Sequence, residues 1–94
     1  SKENQAAQAR QKVGTAEILR YILQTLAQYQ ENGESSCTLI SGEIHKAMDL
    51  QNKMPSVCSA MYQAMSPGDV VVHTTPSGKS STIQICYQLA GRSF

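Results

Sequence analysis

The sequence predicts a small α+β domain in which three helices and a short strand precede a C-terminal β-hairpin. The chain has 94 residues, 40% of them hydrophobic and 16% charged. This length allows one core but not a catalytic barrel or a doubly wound cofactor fold. Apolar residues recur with helical spacing over 15–32 and alternate with polar residues over 82–89. We place the domain at 14–94.

An N-terminal extension is expected over residues 1–13. Residues 1–12 are rich in Gln and Ala and contain no large apolar side chain. This composition favours a flexible or helical segment that only a partner would order, because it offers little surface to bury.

The first helix is predicted over residues 15–32, with Asn32 and Gly33 ending it. Thr15 can serve as its N-cap, and Glu17 suits the positive end of the helix dipole. The large apolar residues fall within one arc of about 140° on the helical wheel. We expect this arc to be buried; it contains Ile18, Leu19, Ile22, Leu23, Leu26 and Tyr29.

Two more helices are predicted, separated by a tight turn at 49–52. After a short edge strand at 37–40, Ser41 can cap a helix over 42–49. That helix should bury Ile44, Ala47 and Met48. The third helix, over 53–65, tolerates Pro55 because the first helical N–H groups have no intrahelical partner. Its apolar face consists of Met54, Val57, Cys58, Met61 and Met65.

The C-terminal part predicts a β-hairpin. Three valines at 70–72 favour a strand, and Pro, Ser and Gly at 76–79 favour a turn. The returning strand, over 82–89, alternates between two faces. One face should point to the core and carries Ile83, Ile85, Tyr87 and Leu89, while Gln84, Cys86 and Gln88 point away.

The sequence lacks the residue patterns of metal sites, disulfides and membrane spans. Cys37, Cys58 and Cys86 are widely spaced and form no Cys-x-x-Cys pair, so we expect reduced thiols and no metal or disulfide. Reduced thiols fit the cytoplasm, or the nucleus of a eukaryotic cell. No apolar run reaches the ~18 residues of a membrane span, so no membrane partner is expected.

No enzymatic site is predicted either. His45 and His73 have no carboxylate or nucleophile at a useful spacing. We expect His45 on the outer face of the second helix and His73 at a strand end. Gly78-Lys79-Ser80 matches the end of a phosphate-binding loop, but His73 stands where the first glycine belongs and a strand follows. We therefore expect neither catalysis nor a cofactor.

The pattern GEIHKAMDL at 42–50, then Val57 to Met61 and a Gly-Asp-Val lead into the hairpin, resembles the winged helix-turn-helix superfamily. The resemblance covers residues 14–89. It implies a domain that binds duplex DNA, with the helix after the turn in the major groove and the hairpin on the backbone or minor groove. Asp49 stands where this family commonly has glycine, which predicts a looser turn.

The predicted third helix has an outward stripe of neutral hydrogen-bonding residues within about 60° of one another. Asn and Gln can pair with adenine, and Ser with any base edge. Lys53 beside the stripe suits a phosphate or guanine, and Gln51 and Asn52 open the helix where amides suit a phosphate. An inert solvated face, a protein interface, or an N-cap role for Asn52 are the alternatives. The stripe comprises Asn52, Ser56, Ser59 and Gln63.

The predicted hairpin tip, residues 73–81, contains no acidic residue. Lys79 among the hydroxyls of Thr75, Ser77 and Ser80 suits a phosphate contact, although a simple solvated turn would have the same composition. Residues 1–49 hold five basic and six acidic groups, giving −1, and residues 50–94 hold three basic and one acidic, giving +2.

The net charge of +1 excludes a strongly basic nucleic-acid binder. Two or three phosphate contacts would give a salt slope of only about −2 to −3, so one domain would bind weakly. Useful affinity for double-stranded DNA would come from a homodimer or a larger parent protein, such as a transcriptional regulator or a DNA-processing protein. The competing hypothesis is a winged helix that binds protein within a larger complex, which the scarcity of arginine favours.

Overall fold

The computed structural model describes residues 13–94, which contain three helices and a three-stranded antiparallel sheet. The strand order is β1-β3-β2, so β3 is central and pairs with both neighbours. The predicted α+β class is confirmed for these residues. The elements are α1 (Thr15–Glu31), β1 (Ser36–Ile40), α2 (Ser41–Ala47), α3 (Met54–Gln63), β2 (Val70–His73) and β3 (Gln84–Gln88).

The extension predicted over 1–13 lies outside the described residues except for Val13, which is partly buried against the core. Within residues 13–94, none of the helices combines the length and the apolar character needed to cross a lipid bilayer.

Helix α1 buries one face, as predicted, but its two ends differ from the prediction. Ile18, Ile22 and Leu26 are fully buried, and Leu19 and Leu23 are only partly buried. Tyr29 is 43% exposed, so its predicted burial is wrong. Tyr29 has the correct angular position, but it lies in the last turn, beyond the end of the core. The N-cap is Gly14 and not the predicted Thr15. Thr15 is the first residue of the helix, and no side chain makes a capping hydrogen bond there.

The end of α1 follows the predicted Asn32-Gly33 stop. Gly33 has a φ of +89°, and its N–H donates to the Gln30 carbonyl at 3.0 Å. The Glu34 N–H donates to the Tyr29 carbonyl, also at 3.0 Å. These two bonds form a Schellman motif, which satisfies carbonyls that the helix end would otherwise leave unpaired.

In α2, Ser41 is not the predicted N-cap. The helix is capped by Ile40 without a side-chain bond, and Ser41 is fully buried. Ile44 is buried and Met48 half-buried, but Ala47 is exposed, contrary to prediction. The core side of α2 is centred on Ser41, Ile44 and Met48, and Ala47 is therefore turned away from it.

Helix α3 spans Met54–Gln63 and is shorter at both ends than the predicted 53–65. Val57, Cys58 and Met61 are fully buried, and Met54 and Met65 are partly buried, so the predicted apolar face is confirmed. The Tyr87 hydroxyl donates to the Met61 carbonyl at 2.8 Å, which joins α3 to the centre of the sheet.

The sheet has the predicted two faces. Ile83, Ile85, Tyr87 and Leu89 are fully buried, whereas Gln84 and Cys86 are half-buried and Gln88 is exposed. The predicted edge strand at 37–40 is β1, which pairs along its full length with β3. Strand β2 ends at His73, as expected, and its register with β3 is interrupted between Val71 and His73. Residues 74–83 connect these strands and are called the hairpin loop below.

Candidate nucleic-acid interface

The turn between α2 and α3 is closed tightly despite its aspartate. Asp49 has a φ of +55°, and its N–H donates to the Lys46 carbonyl at 3.0 Å. The Leu50 N–H donates to the His45 carbonyl at 3.0 Å. This is the Schellman pattern with Asp49 at the left-handed position, so the expectation of a looser turn is wrong.

The residues before α3 take different positions from those predicted. Helix α3 is capped by Lys53 without a side-chain bond, so Asn52 is not its N-cap. Asn52 is exposed with a φ of +55°, and this left-handed backbone breaks the helical period before α3 begins. Asn52 therefore does not continue the outward stripe of the helix. Gln51 is exposed beside it.

The side chain of His45 contacts the backbone of this turn. Its ring is half-buried, and the Lys53 backbone N–H donates to its Nε2 at 3.4 Å. The prediction that His45 occupies the outer face of α2 is therefore wrong. Lys53 itself is half-buried, which places it at the junction of the turn and α3.

The outward face of α3 carries part of the predicted stripe. Ser59 and Gln63 are both exposed, and Gln63 Nε2 donates to Ser59 Oγ at 3.2 Å. Ser56 lies on the same helix but is half-buried. The stripe on the helix thus consists of Ser56, Ser59 and Gln63.

The tip of the hairpin loop is a β-turn that begins one residue earlier than predicted. The Gly78 N–H donates to the Thr75 carbonyl at 2.9 Å, and Gly78 has a φ of +68°. Ser77 Oγ lies 3.3 Å from Thr75 Oγ1 and accepts from the Lys79 N–H at 3.2 Å. The Thr75 and Ser77 hydroxyls thus form bonds within the loop, while the Lys79 side chain is exposed.

The base of the hairpin loop is attached to the helices. The Ser80 carbonyl accepts from Ser41 Oγ at 2.6 Å and from Cys58 Sγ at 3.4 Å. Ser41 Oγ also accepts from the Ile83 N–H at 3.2 Å. The Ser80 side chain pairs with Thr82 Oγ1 at 3.0 Å, so Ser80 has a structural role, and its phosphate contact stays a prediction.

Helix α3 and the hairpin loop meet in a shallow cleft that brings Ser59, Gln63 and Lys79 together. Gln51, Asn52 and Lys53 do not line this cleft and precede the first turn of α3. The cleft is lined by Pro55, Cys58, Ser59, Tyr62, Gln63, Gly78 and Lys79.

Tyr62 is the cleft residue that the sequence interpretation missed. Its hydroxyl donates to the Gly78 carbonyl at 3.0 Å and lies 3.4 Å from Thr74 Oγ1. The side chain is 36% exposed. A signal was present, since Tyr62 falls between Cys58 and Ser59 on the helical wheel, at the boundary of the apolar and polar faces.

Not all of the positive charge counted over residues 50–94 lies at the cleft. Arg92 pairs with Asp69 at 2.8 Å and donates to the Gln88 and Ala64 carbonyls. Arg92 is therefore engaged within the domain, away from the cleft. Among residues 50–83, Lys53 and Lys79 carry the positive charge, and Asp69, the single acidic side chain there, is almost fully buried.

The thiols and metal-ligand types do not form a further site in the described part of the chain. Burial raises the pKa of the Cys37 and Cys58 thiols, which disfavours the reactive thiolate form. Three reduced thiols stay a prediction. Among residues 13–94, no three His, Cys, Asp or Glu side chains are grouped so as to hold a metal ion.

Comparison of the chain with protein-family models, with curated protein sequences and with solved structures gave no match. The fold and the site therefore define a class at the level of a small α+β domain with a shallow cleft between its third helix and its hairpin loop.

Proposed function

We propose that this chain is a winged helix-turn-helix domain that binds duplex DNA. The arrangement of α2, a short turn and α3 supports the helix-turn-helix unit. The hairpin of β2 and β3, with β1 added to the free side of β3, supports the winged form. In this proposal α3 enters the major groove, and the hairpin loop contacts the backbone or minor groove.

The observation that carries the proposal is that Gln63 of α3 and Lys79 of the hairpin loop line the same cleft. Gln63 and Ser59 offer donors and acceptors that suit base edges. Lys79 suits a phosphate, and the residues that line the cleft include no carboxylate. One surface thus combines groups for base reading with a group for phosphate binding.

The other predicted residues have supporting roles in this proposal. In this proposal the DNA backbone passes the start of α3, where Gln51, Asn52 and Lys53 lie. The amides at this helix end are a weak phosphate site, because Pro55 lacks an N–H and the Lys53 N–H donates to His45 Nε2 at 3.4 Å. We therefore assign phosphate contact here to the side chains.

Low charge sets the expected affinity. With Arg92 paired internally, Lys53 and Lys79 are the cations that remain among residues 50–94, and two phosphate contacts would give a salt slope of about −2. Such weak binding suits a homodimer or a module of a larger regulator or DNA-processing protein. In this proposal the domain works in the cytoplasm, or in the nucleus of a eukaryotic cell.

A protein-binding winged helix is the second candidate. Val70 and Val72 favour it, because they are 55% and 56% exposed on a strand at the sheet edge. Exposed apolar side chains on such an edge suit a protein partner better than DNA.

The test is titration of the chain with a labelled random duplex at several salt concentrations. We expect log affinity to fall with log salt with a slope of about −2. Lys79→Ala should reduce the slope by about one, whereas Arg20→Ala, which removes an exposed cation from α1, should leave it unchanged. Absence of salt-dependent binding would overturn the DNA proposal in favour of the protein partner.

A further inference from the structure

The hairpin loop is attached to the helices at two places. At its base, Ser41 and Gly42 of α2 and Cys58 of α3 hold the Ser80 and Ser81 carbonyls. Nearer the tip, Tyr62 contacts Thr74 and Gly78. In the part of the chain that the structure describes, Tyr62 makes the only hydrogen bonds from a helix to residues 74–79.

We propose that Tyr62 is a positioning residue that fixes the hairpin loop on α3, so that Lys79 and the polar face of α3 meet DNA as one surface. This inference rests on the proposed function for its effect on DNA, but its effect on the loop is independent of DNA.

Tyr62 connects a helix that is fixed in the core to the loop residue that precedes Lys79. The Tyr62 ring extends from a helix whose preceding residues Val57, Cys58 and Met61 are fully buried in the core. Its hydroxyl reaches the carbonyl of Gly78, the residue immediately before Lys79. A hydrogen bond at this point restrains the backbone that carries the lysine, so less conformational entropy is lost when a phosphate binds.

The backbone conformation and the small size of Gly78 fit the position of the Tyr62 hydroxyl. Its φ of +68° is a conformation that other residues rarely adopt, and a Cβ there would lie 3.4 Å from the Tyr62 hydroxyl. The remaining bonds of residues 74–79 also lie within the loop: the Gly78 N–H donates to the Thr75 carbonyl, and side-chain bonds join Thr74 to Thr75, Thr75 to Ser77 and Ser77 to Lys79. They shape the tip but do not attach it to α3.

The first measurement needs no DNA. Backbone order parameters of residues 77–79 are compared in the parent chain, Tyr62→Phe and the control Tyr29→Phe, which alters an exposed tyrosine of α1. We expect Tyr62→Phe to lower these order parameters toward the flexible range below about 0.6, with no change in Tyr29→Phe. Unchanged order parameters in Tyr62→Phe would overturn the positioning role.

The second measurement is a double-mutant cycle on duplex binding with Lys79→Ala. Tyr62→Phe should weaken binding about two- to tenfold, and it should reduce the salt slope, which a merely structural change would not do. In the Tyr62→Phe background, Lys79→Ala should lose much of its own effect. Multiplicative effects of the two substitutions would contradict the proposal.

The two arms separate the two proposals. If the parent chain binds no duplex, the DNA function is overturned, and the order parameters alone decide whether Tyr62 positions the loop. If the parent chain binds and Lys79→Ala weakens it while Tyr62→Phe changes neither affinity nor loop order, the DNA function stands and the role of Tyr62 is overturned.

Discussion

Asp69 and Arg92 form an almost buried charge pair, with Asp69 Oδ2 2.8 Å from Arg92 Nη1 and side-chain exposures of 1% and 13%. The same carboxylate accepts the Ser66 N–H at 2.8 Å and the Gln88 N–H at 2.7 Å. Arg92 also donates to the Ala64 carbonyl. The pair therefore joins the segment after α3 to the end of β3.

The pair should make stability depend on acid. Burial alone would raise the pKa of Asp69, but hydrogen bonds from Gln88 and Ser66 and the charge of Arg92 hold it below its ordinary value. Its contribution is therefore complete above the unfolded pKa of about 3.9 and is lost as pH falls through the lower folded pKa.

The corresponding variant is Asp69→Asn, which should lower the free energy of unfolding at pH 7 by about 2–4 kcal/mol, because it leaves Arg92 without its counter-ion. Urea unfolding of both proteins from pH 7 to pH 2 provides the measurement. The difference should stay constant down to about pH 5 and shrink below about pH 4. A constant difference throughout would show that the carboxylate charge is not the cause.

The left-handed position after α1 gives a second prediction. Gly33→Ala should destabilise the domain by about 1 kcal/mol, because the φ of +89° strains any residue with a Cβ. The control is Gly33→Asn at the same position, because asparagine adopts the left-handed conformation more readily than alanine and a side chain there would meet nothing within 4 Å of its Cβ. Chemical denaturation should show a smaller loss for Gly33→Asn than for Gly33→Ala. Equal effects would contradict the conformational explanation.

Two valines with opposite environments give a third prediction. Val57 is fully buried in α3, and Val70 is 55% exposed on β2. Val57→Asp should abolish cooperative folding, because an unpaired buried carboxylate costs several kcal/mol, a large part of the stability of a small domain. Val70→Asp should be tolerated. Thermal melts followed by circular dichroism test both, and a near-parental melt for Val57→Asp would contradict the assigned core.

The proposed interface gives a fourth prediction, in which its two parts fail differently. Gln63→Ala should weaken binding to a preferred duplex by about 1–3 kcal/mol and spare random duplex, because its amide reads a base edge. Lys79→Ala should weaken both about equally, because it contacts phosphate. A duplex selection followed by titration of both variants makes the comparison. Equal losses on both duplexes for Gln63→Ala would exclude base reading by this residue.

Periodicity predicted the core and failed at contacts between distant parts of the chain. The burial of Ile18, Val57 and Ile85 followed from local spacing, because a helix or strand with one apolar face has one way to bury it. Sequence favours Ser41 as an N-cap equally well, but its hydroxyl is taken by Ser80, 39 residues away. No local pattern contains that contact.

The features of the candidate site also fall into those that local sequence predicts and those that depend on distant contacts. Ser59, Gln63 and Lys79 were recognisable from the neutral helix stripe and the acid-free hairpin tip. The position of Tyr62 on the helical wheel was a signal, but its bond to Gly78, 16 residues away, and the pairing of Arg92 with Asp69, 23 residues away, are not contained in any local pattern. Side-chain chemistry thus indicated which groups could bind DNA, but packing decides which of them are available.

The register break in β2 has a consequence for self-association. A flat, charge-free edge with exposed valines is a template for pairing with further strands. Here the ladder is irregular between Val71 and His73, and β2 is only four residues long. Such a bulge bends the strand and increases its twist, so an incoming strand would find few main-chain groups in line. The short, irregular edge therefore opposes aggregation without a lysine on the strand.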